Sequence, residues 1–379
     1  MSKKKLLIEA ISTNSGGAIA HLKNLLLNFD NQSYFDEVDV YLPFQTKKLM
    51  PIKKSINYIC PSFFSLNLFS RVLWQTLILN IIVIKKKYDC IFVTGSSHFL
   101  LRGPVVTISQ NLLPFSQNEV EKYFFSFFYI KMKLLKFIQK LSFKMSKGII
   151  FLHKYSQNKI LSQINRVKGM INVVAHGVES SKLLPLKNEK KFRVIYVSNI
   201  DLYKNQIFII KALNEFLEKN PNYKNKIFVE FYGAFYKPAL TSFNQVLNNI
   251  QNKKNFKYFG LKKKEFIYSQ KKGFNTIFLF ASSCENFSVS LIEGMSRGLP
   301  ILCVNLQPMK SVLGNNALFY KNNSYKSFHS QLFKIISSHT RRKDLSRRVY
   351  NQSKKYNGKI IAKKTFLFLK KVSKKYYER

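Results

Sequence analysis

Two glutamates, Glu285 and Glu293, stand eight residues apart in a stretch otherwise without acids: none other occurs between Phe266 and Lys343. They lie in SSCENFSVSLIEGMSRGLPI, Ser282 to Ile301. The apolar run Phe278–Phe280 reads as a strand, Ser282–Ser288 as a loop, and Ser288–Arg297 as a helix stopped by Gly298 and Pro300. A helix start delivered in this way is an anion site, because the backbone N–H groups from about Val289 to Ile292 point outward toward a phosphate. Glu293, on the helix just behind, is within reach of a ribose hydroxyl pair, and Glu285, in the loop, stands where a sugar ring would sit. The plainer reading is two solvated glutamates beside a helix; the scarcity of acids around them favours the chemical one.

Such a loop needs a sheet behind it, and the patterning supplies two. LLIEAI (Leu6–Ile11) is a short apolar strand, Ser12–Gly17 a polar glycine-bearing turn, and Ala18–Phe29 a helix by its apolar spacing. Val38–Leu42, Cys90–Thr94, Val105–Ser109 and Gly148–Leu152 read as further buried strands. The run Leu73–Ile84 is broken by Gln75, Thr76 and Asn80, is too short to span a bilayer, and reads as a buried helix. A polar segment, Glu179–Lys191, reads as a linker, after which strand–helix alternation starts again at Phe192–Ser198 and continues through Pro300–Val304. The expected class is therefore α/β: two Rossmann-like domains facing across a cleft. The expected division is residues 1–180, 190–353 and a basic helix over 354–379 that packs back towards the first domain. Ligands of open parallel sheets sit beyond the carboxyl ends of the strands, so closure of the two domains around a shared site is expected.

Composition narrows the partners. The chain of 379 residues is 46% hydrophobic, which fits a globular two-domain protein and not a disordered one. Lys3, Lys4 and Lys5 precede an apolar run that is short and holds Glu9, so it reads as a strand and not as a secretory leader. Cys60, Cys90, Cys284 and Cys303 are widely spaced and read as reduced thiols. A formal net charge of +44 implies a polyanionic neighbour. From Lys122 to Val178 there are eleven basic residues and no acid. Within it, Lys122, Lys133, Lys136, Lys140, Lys144 and Lys147 fall on one helical stripe opposite Phe124, Phe128, Leu135, Ile138 and Met145. That pattern suits an anionic membrane surface bound through 122–147, and equally suits a domain helix. The aromatics sit in apolar runs and no nucleic-acid motif occurs, so no specific nucleic acid is expected.

Glu285–x7–Glu293, followed by Gly-Met and Arg-Gly-Leu-Pro, resembles the signature of the retaining GT-B glycosyltransferases of family 4 (glycosyl transferases group 1). The resemblance is strongest over 192–320. It implies a hexosyltransferase-type enzyme moving a sugar, with retention, from a nucleotide-diphosphate donor to a lipid-linked or oligosaccharide acceptor. The implied setting is surface-polysaccharide assembly (lipopolysaccharide, O-antigen or capsule) at the cytoplasmic face of the cell membrane. It implies no cofactor beyond the nucleotide-sugar co-substrate, and no metal.

Carried over residue by residue, Glu285 would hold donor-sugar hydroxyls and aid the chemistry, and Glu293 would bind the ribose. In YVSNIDLYKNQ, Lys204 takes the family's lysine position and would neutralise the departing pyrophosphate; Asn199 stands where many members have arginine. Gly16 and Gly17, after Ser15, match the loop that closes on donor or acceptor, and Gly233 in Phe231-Tyr232-Gly233 matches a turn beside the donor. Asn286, Phe287, Ser288, Val289, Ser290 and Leu291 complete the expected donor loop. Gln110 and Asn111 replace a histidine common in the family and, with His98, are candidate acceptor or sugar contacts. His176-Gly177-Val178 resembles the family's turn before the linker and reads as a hinge element. The rival readings are a sugar-nucleotide epimerase of the same architecture, and a basic nucleic-acid- or membrane-binding protein without activity.

Overall fold

The computed structural model describes residues 4–14, 16–30, 34–61 and 68–378. The chain divides into two compact units: Met1–Glu179 with Tyr356–Arg379, and Ser180–Lys355.

The first unit is built on seven strands: β1 Lys5–Glu9, β2 Glu37–Tyr41, β3 Ile56–Ile59, β4 Cys90–Val93, β5 Val105–Ser109, β6 Gly148–Phe151 and β7 Met170–Val173. All pair in parallel, in the order β3-β2-β1-β4-β5-β6-β7. Central β4, β5 and β6 are buried at every position, which is why they read as unbroken apolar runs. The helices are α1 Gly16–Leu27, the segment α2 Leu68–Leu73 with a π turn Trp74–Ile78 and α3 Leu79–Lys86, then α4 Phe127–Met145 and α5 Lys154–Leu161.

The second unit has six strands: β8 Lys191–Val197, β9 Ile227–Tyr232, β10 Phe256–Tyr258, β11 Phe274–Phe280, β12 Ile301–Val304 and β13 Leu318–Tyr320. They are again all parallel, ordered β10-β9-β8-β11-β12-β13. Its helices are α6 Gln206–Lys219, α7 Lys237–Asn249, α8 Val289–Ser296, α9 Tyr325–Ser337 and α10 His339–Ser353. The last helix, α11 Gly358–Tyr377, belongs to the first unit. It packs Phe366 against Phe29, with ring centroids 5.0 Å apart and the rings tilted by 57°, and Ser373 donates to the Asp89 carbonyl. These are two Rossmann-like sheets, each with helices in its crossovers.

Several sequence expectations change. The run 73–84 is not a buried helix: Trp74, Leu79 and Val83 of it are buried and Ile82 packs partly against the core, while Leu73, Leu77, Ile78, Ile81 and Ile84 are exposed. The basic helix does not run over 122–147. Glu121–Tyr123 forms a separate 3-10 turn in which Lys122 pairs with Glu119, Phe125 takes a left-handed φ of 62°, and Ser126 caps α4 through the Tyr129 N–H. The core side of α4 is Met132, Gln139, Ser142 and Phe143, so its large apolars Phe127, Ile130, Leu134 and Phe137 are left on the surface. The segment 180–190 lies along the second unit: Leu184 N–H donates to the Arg297 carbonyl, and Pro185 and Glu189 carbonyls accept from Gln270 and Asn275. Gly177 packs where a Cβ would lie 2.8 Å from Asn24 and 2.9 Å from Gly358, and His176 is buried with its ring centroid 4.5 Å from that of His21. Among the described residues no helix is long and apolar enough to cross a membrane.

Candidate active site

In the second sheet the chain leaves β8 toward β9 on one side and leaves β11 toward β12 on the other. Loops after two neighbouring strands that diverge in this way open a crevice at their carboxyl ends, the expected ligand position for such a sheet. The loop after β8 carries Asn199 and Lys204; the loop after β11 carries Glu285 and leads into α8.

These loops are stitched together. Ser283 N–H and its hydroxyl both donate to the Tyr203 carbonyl, at 2.8 and 3.0 Å, and the Asn205 amide donates to the Ala281 carbonyl at 2.9 Å. Asn205 adopts φ 56°, a left-handed turn that asparagine tolerates, and this ends the short 3-10 turn holding Lys204. The result is an ion pair between the Lys204 ammonium and Glu285 Oε1, each side chain 12% exposed. Burial alone would lower the lysine's pKa; the Glu285 carboxylate more than offsets this and holds it above the ordinary lysine value.

Glu293 sits one turn into α8 and is only 6% exposed, not on a solvated face. Its Oε2 accepts from the Tyr268 hydroxyl at 3.3 Å and its Oε1 pairs with the Lys264 ammonium. Burial, with Glu293 beside it, pushes the Tyr268 phenol well up, so it is a fixed donor. Ser288 caps α8 by accepting from Leu291 N–H at 3.3 Å, and the Ser290 hydroxyl donates to the Val197 carbonyl at 2.8 Å, anchoring the helix start to β8. Asn286, Phe287, Val289 and Leu291 are all buried, Leu291 completely.

Asn199 is committed to the scaffold: its Oδ1 accepts from Ala234 N–H at 3.2 Å, and its carbonyl accepts from Gln206 at 2.8 Å. Gly233 has φ 143°, and a Cβ there would lie 2.3 Å from the Ser198 carbonyl oxygen. This glycine is what lets the β9 turn touch the β8 loop.

The candidates in the first unit are spread differently. Gly16 and Gly17 form the first turn of α1 and not a loop before it, with Gly16 at φ 53°; Ser15 lies outside the described residues. Gln110 and Asn111 follow β5: Gln110 donates to the Thr94 carbonyl at 3.0 Å, and Asn111 Oδ1 accepts from Leu113 N–H at 3.0 Å. His98 is a scaffold residue and not a surface contact. It is 2% exposed, bonds Ser146 through Nε2 at 2.8 Å, and accepts from Leu100 N–H through Nδ1. Burial lowers its pKa to about 4, so its ring is neutral near pH 7.

Sequence reasoning passed over Tyr268 and Lys264, which carry no motif, and Glu9. Glu9 ends β1 at the same sheet edge as Thr94, is 1% exposed, and bonds Ile11 N–H at 3.0 Å and the Gln75 amide at 3.2 Å. An acid inside an apolar strand was its only signal. Among the described residues no group of three His, Cys, Asp or Glu gathers as a metal site.

Residues 182–352 match the model of the family described as glycosyl transferases group 1. No curated protein matches the chain in sequence. Sucrose-phosphate synthase of Thermosynechococcus elongatus is similar in structure over 98% of this chain and 99% of its own, with TM-score 0.80 and 10% identity. HepE of Anabaena, solved in complex with UDP and glucose, covers 97% and 99%, with TM-score 0.71 and 16% identity. TarM of S. aureus, solved in complex with fondaparinux, alpha-GlcNAc-glycerol and UDP, covers 77% of this chain and 58% of its own, with TM-score 0.60 and 14% identity. The fold is GT-B, and the match to glycosyl transferases group 1 falls on its second unit.

Proposed function

We propose that this chain transfers a hexosyl group, with retention, from a nucleoside-diphosphate sugar to a lipid-linked glycan acceptor. We further propose that it does so at the cytoplasmic face of the membrane, as a step in surface-polysaccharide assembly. The observation that carries the donor half is the Lys204–Glu285 pair at the switch point of the second sheet, one loop before the start of α8. As the sugar–phosphate bond breaks, negative charge grows on the diphosphate, and a fixed ammonium beside a helix start stabilises that charge. Glu285 has its second oxygen for sugar hydroxyls, and Glu293, oriented by Tyr268, accepts from a ribose diol. In this reading positive charge comes from Lys204 and backbone N–H groups, and transfer proceeds in EDTA. Retention rests on the Glu285–x7–Glu293 resemblance. The acceptor half rests on the basic, apolar-faced α4, which suits an anionic bilayer.

HepE and TarM are complexed with UDP in their structures, so uridine diphosphate heads the nucleotides to test. The experiment is a thermal-shift screen against nucleoside diphosphates at moderate salt. A selective shift, lost in Glu293→Ala, supports the donor site; no shift with any nucleotide overturns it.

A further inference from the structure

The crossovers β3 to β4 and β5 to β6 run in the same direction along the first sheet. Both being right-handed, α2–α3 and α4 cover the same face. The connection between β4 and β5 carries no helix, and its residues 98–101 lie between the two. Asn80 of α3 donates to the Phe99 carbonyl at 3.2 Å and accepts from Leu101 N–H at 3.1 Å. On the other side, Ser142 of α4 bonds both the N–H and the carbonyl of His98, at 2.9 and 3.1 Å. The three pieces form one bonded layer.

Its outer side is apolar. On α3, Leu79 and Val83, one helical turn apart, are buried and Ile82 packs partly beside them, which leaves Ile81 and Ile84 outward; Leu77 and Ile78 of the preceding π turn are exposed as well. Leu101, between the helices, is 78% exposed. On α4 the outward set is Phe127, Ile130, Leu134, Phe137 and Leu141, at spacings of three and four along its whole length. Contiguous exposure on this scale marks a docking surface. Its charge identifies the occupant. Neither 68–86 nor 127–145 contains an acid, and exposed Lys85, Lys87, Arg102, Lys131, Lys133 and Lys144 edge the apolar ground. A second copy would place these cations against themselves, since a two-fold interface pairs a patch with itself. An anionic bilayer pairs them with lipid phosphates while the apolar side chains enter the headgroup boundary.

We infer that the bilayer contact is a two-helix face, α3 with the π turn before it and Leu101 together with α4, and not the single basic helix. This rests on the membrane half of the proposed function and deepens it. The face lies flat on the interface, so the carboxyl edge of the first sheet, with Gln110 and Asn111, is held at a fixed height for an acceptor anchored in the same lipid.

The test is sedimentation of the full chain with vesicles of phosphatidylglycerol and phosphatidylcholine, against phosphatidylcholine alone. Two double variants are compared with wild type: Leu77→Gln with Ile81→Gln, and Leu134→Gln with Phe137→Gln. All four side chains are outward, so folding, followed by thermal melting, is unaffected. Each double variant is expected to lower partition into anionic vesicles tenfold or more while nucleotide binding stays at the wild-type value. Wild-type partition in the Leu77/Ile81 variant, with loss in the Leu134/Phe137 variant, overturns the two-helix face and leaves the membrane reading standing. A wild-type chain that ignores anionic vesicles overturns both. A dimer that the variants dissociate, without any change in vesicle binding, assigns the face to a second copy and also overturns the inference.

Discussion

Lys204 and Glu285 lie 81 residues apart in sequence and form an ion pair at the carboxyl ends of the neighbouring strands β8 and β11. Neither residue is placed by its own element alone. The Tyr203 carbonyl, accepting twice from Ser283, and Asn205, bonded to Ala281, fix the two loops relative to each other. The pair positions a cation that a diphosphate can recruit and a carboxylate that the cation's departure would leave free to turn toward a sugar.

Removing one member and removing both should have different effects. Lys204→Met leaves a nearly buried carboxylate unpaired, which costs about 3 kcal/mol in comparable sites, and removes about 2–4 kcal/mol of transition-state stabilisation. The double variant Lys204→Met with Glu285→Gln restores most of the stability and none of the turnover. Denaturant midpoints and kcat of the three proteins check this; turnover that recovers along with stability would make the pair purely structural.

At Glu293 the expectation is a loss of affinity. The carboxylate is buried and receives the Tyr268 hydroxyl, so alanine would open a cavity beside a buried phenol as well as removing the ribose acceptor. Glu293→Gln keeps the volume and the Tyr268 bond. Nucleotide affinity measured by calorimetry should fall about tenfold or more in Glu293→Gln, with a melting temperature near wild type. Unchanged affinity removes Glu293 from the site.

Gly233→Ala tests whether the β8 loop is held in place from behind. A Cβ at this position would sit 2.3 Å from the Ser198 carbonyl oxygen, and the backbone is at φ 143°. Since backbone must move, a destabilisation of about 1–3 kcal/mol is expected, from the denaturant midpoint. Asn199, bonded to Ala234, moves with it, so nucleotide affinity falls too.

How much of this the sequence carried depended on whether the signal was local. Central strands β4, β5, β8, β11 and β12 announce themselves because parallel strands buried on both faces read as apolar runs. Edge strands β3, β7 and β13 are short and half-covered, and leave no such run. Glu285, Glu293 and Lys204 are legible through spacing and neighbours. Tyr268 is invisible because it reaches Glu293 from 25 residues away through the fold. The segment 73–84 fails for a different reason: its apolar residues look like core, and composition does not tell a face that packs on protein from one that packs on something else.

Glu9 gives a pH prediction whose sign is fixed by its burial. Desolvation raises its pKa from 4.5 to about 7 in the fold, against the lowering effect of the Ile11 and Gln75 bonds. The folded chain therefore binds the extra proton more tightly than the unfolded one. The contribution is fully present below about pH 4.5 and is lost as pH rises through about 7. His21 acts in the opposite sense: burial lowers its pKa from 6.5 to about 4, so its contribution is present above pH 6.5 and is lost as pH falls through about 4. Comparing wild type with Glu9→Gln at each pH cancels the histidines. Glutamine can keep both bonds without the buried charge, so the variant should gain on wild type by roughly 3 kcal/mol between pH 4.5 and pH 8, nearly all of it before pH 7.5. Urea midpoints of the two proteins across that range check it. A difference that does not change with pH would mean that Glu9 titrates as an ordinary exposed carboxylate, and that the end of β1 is open to water.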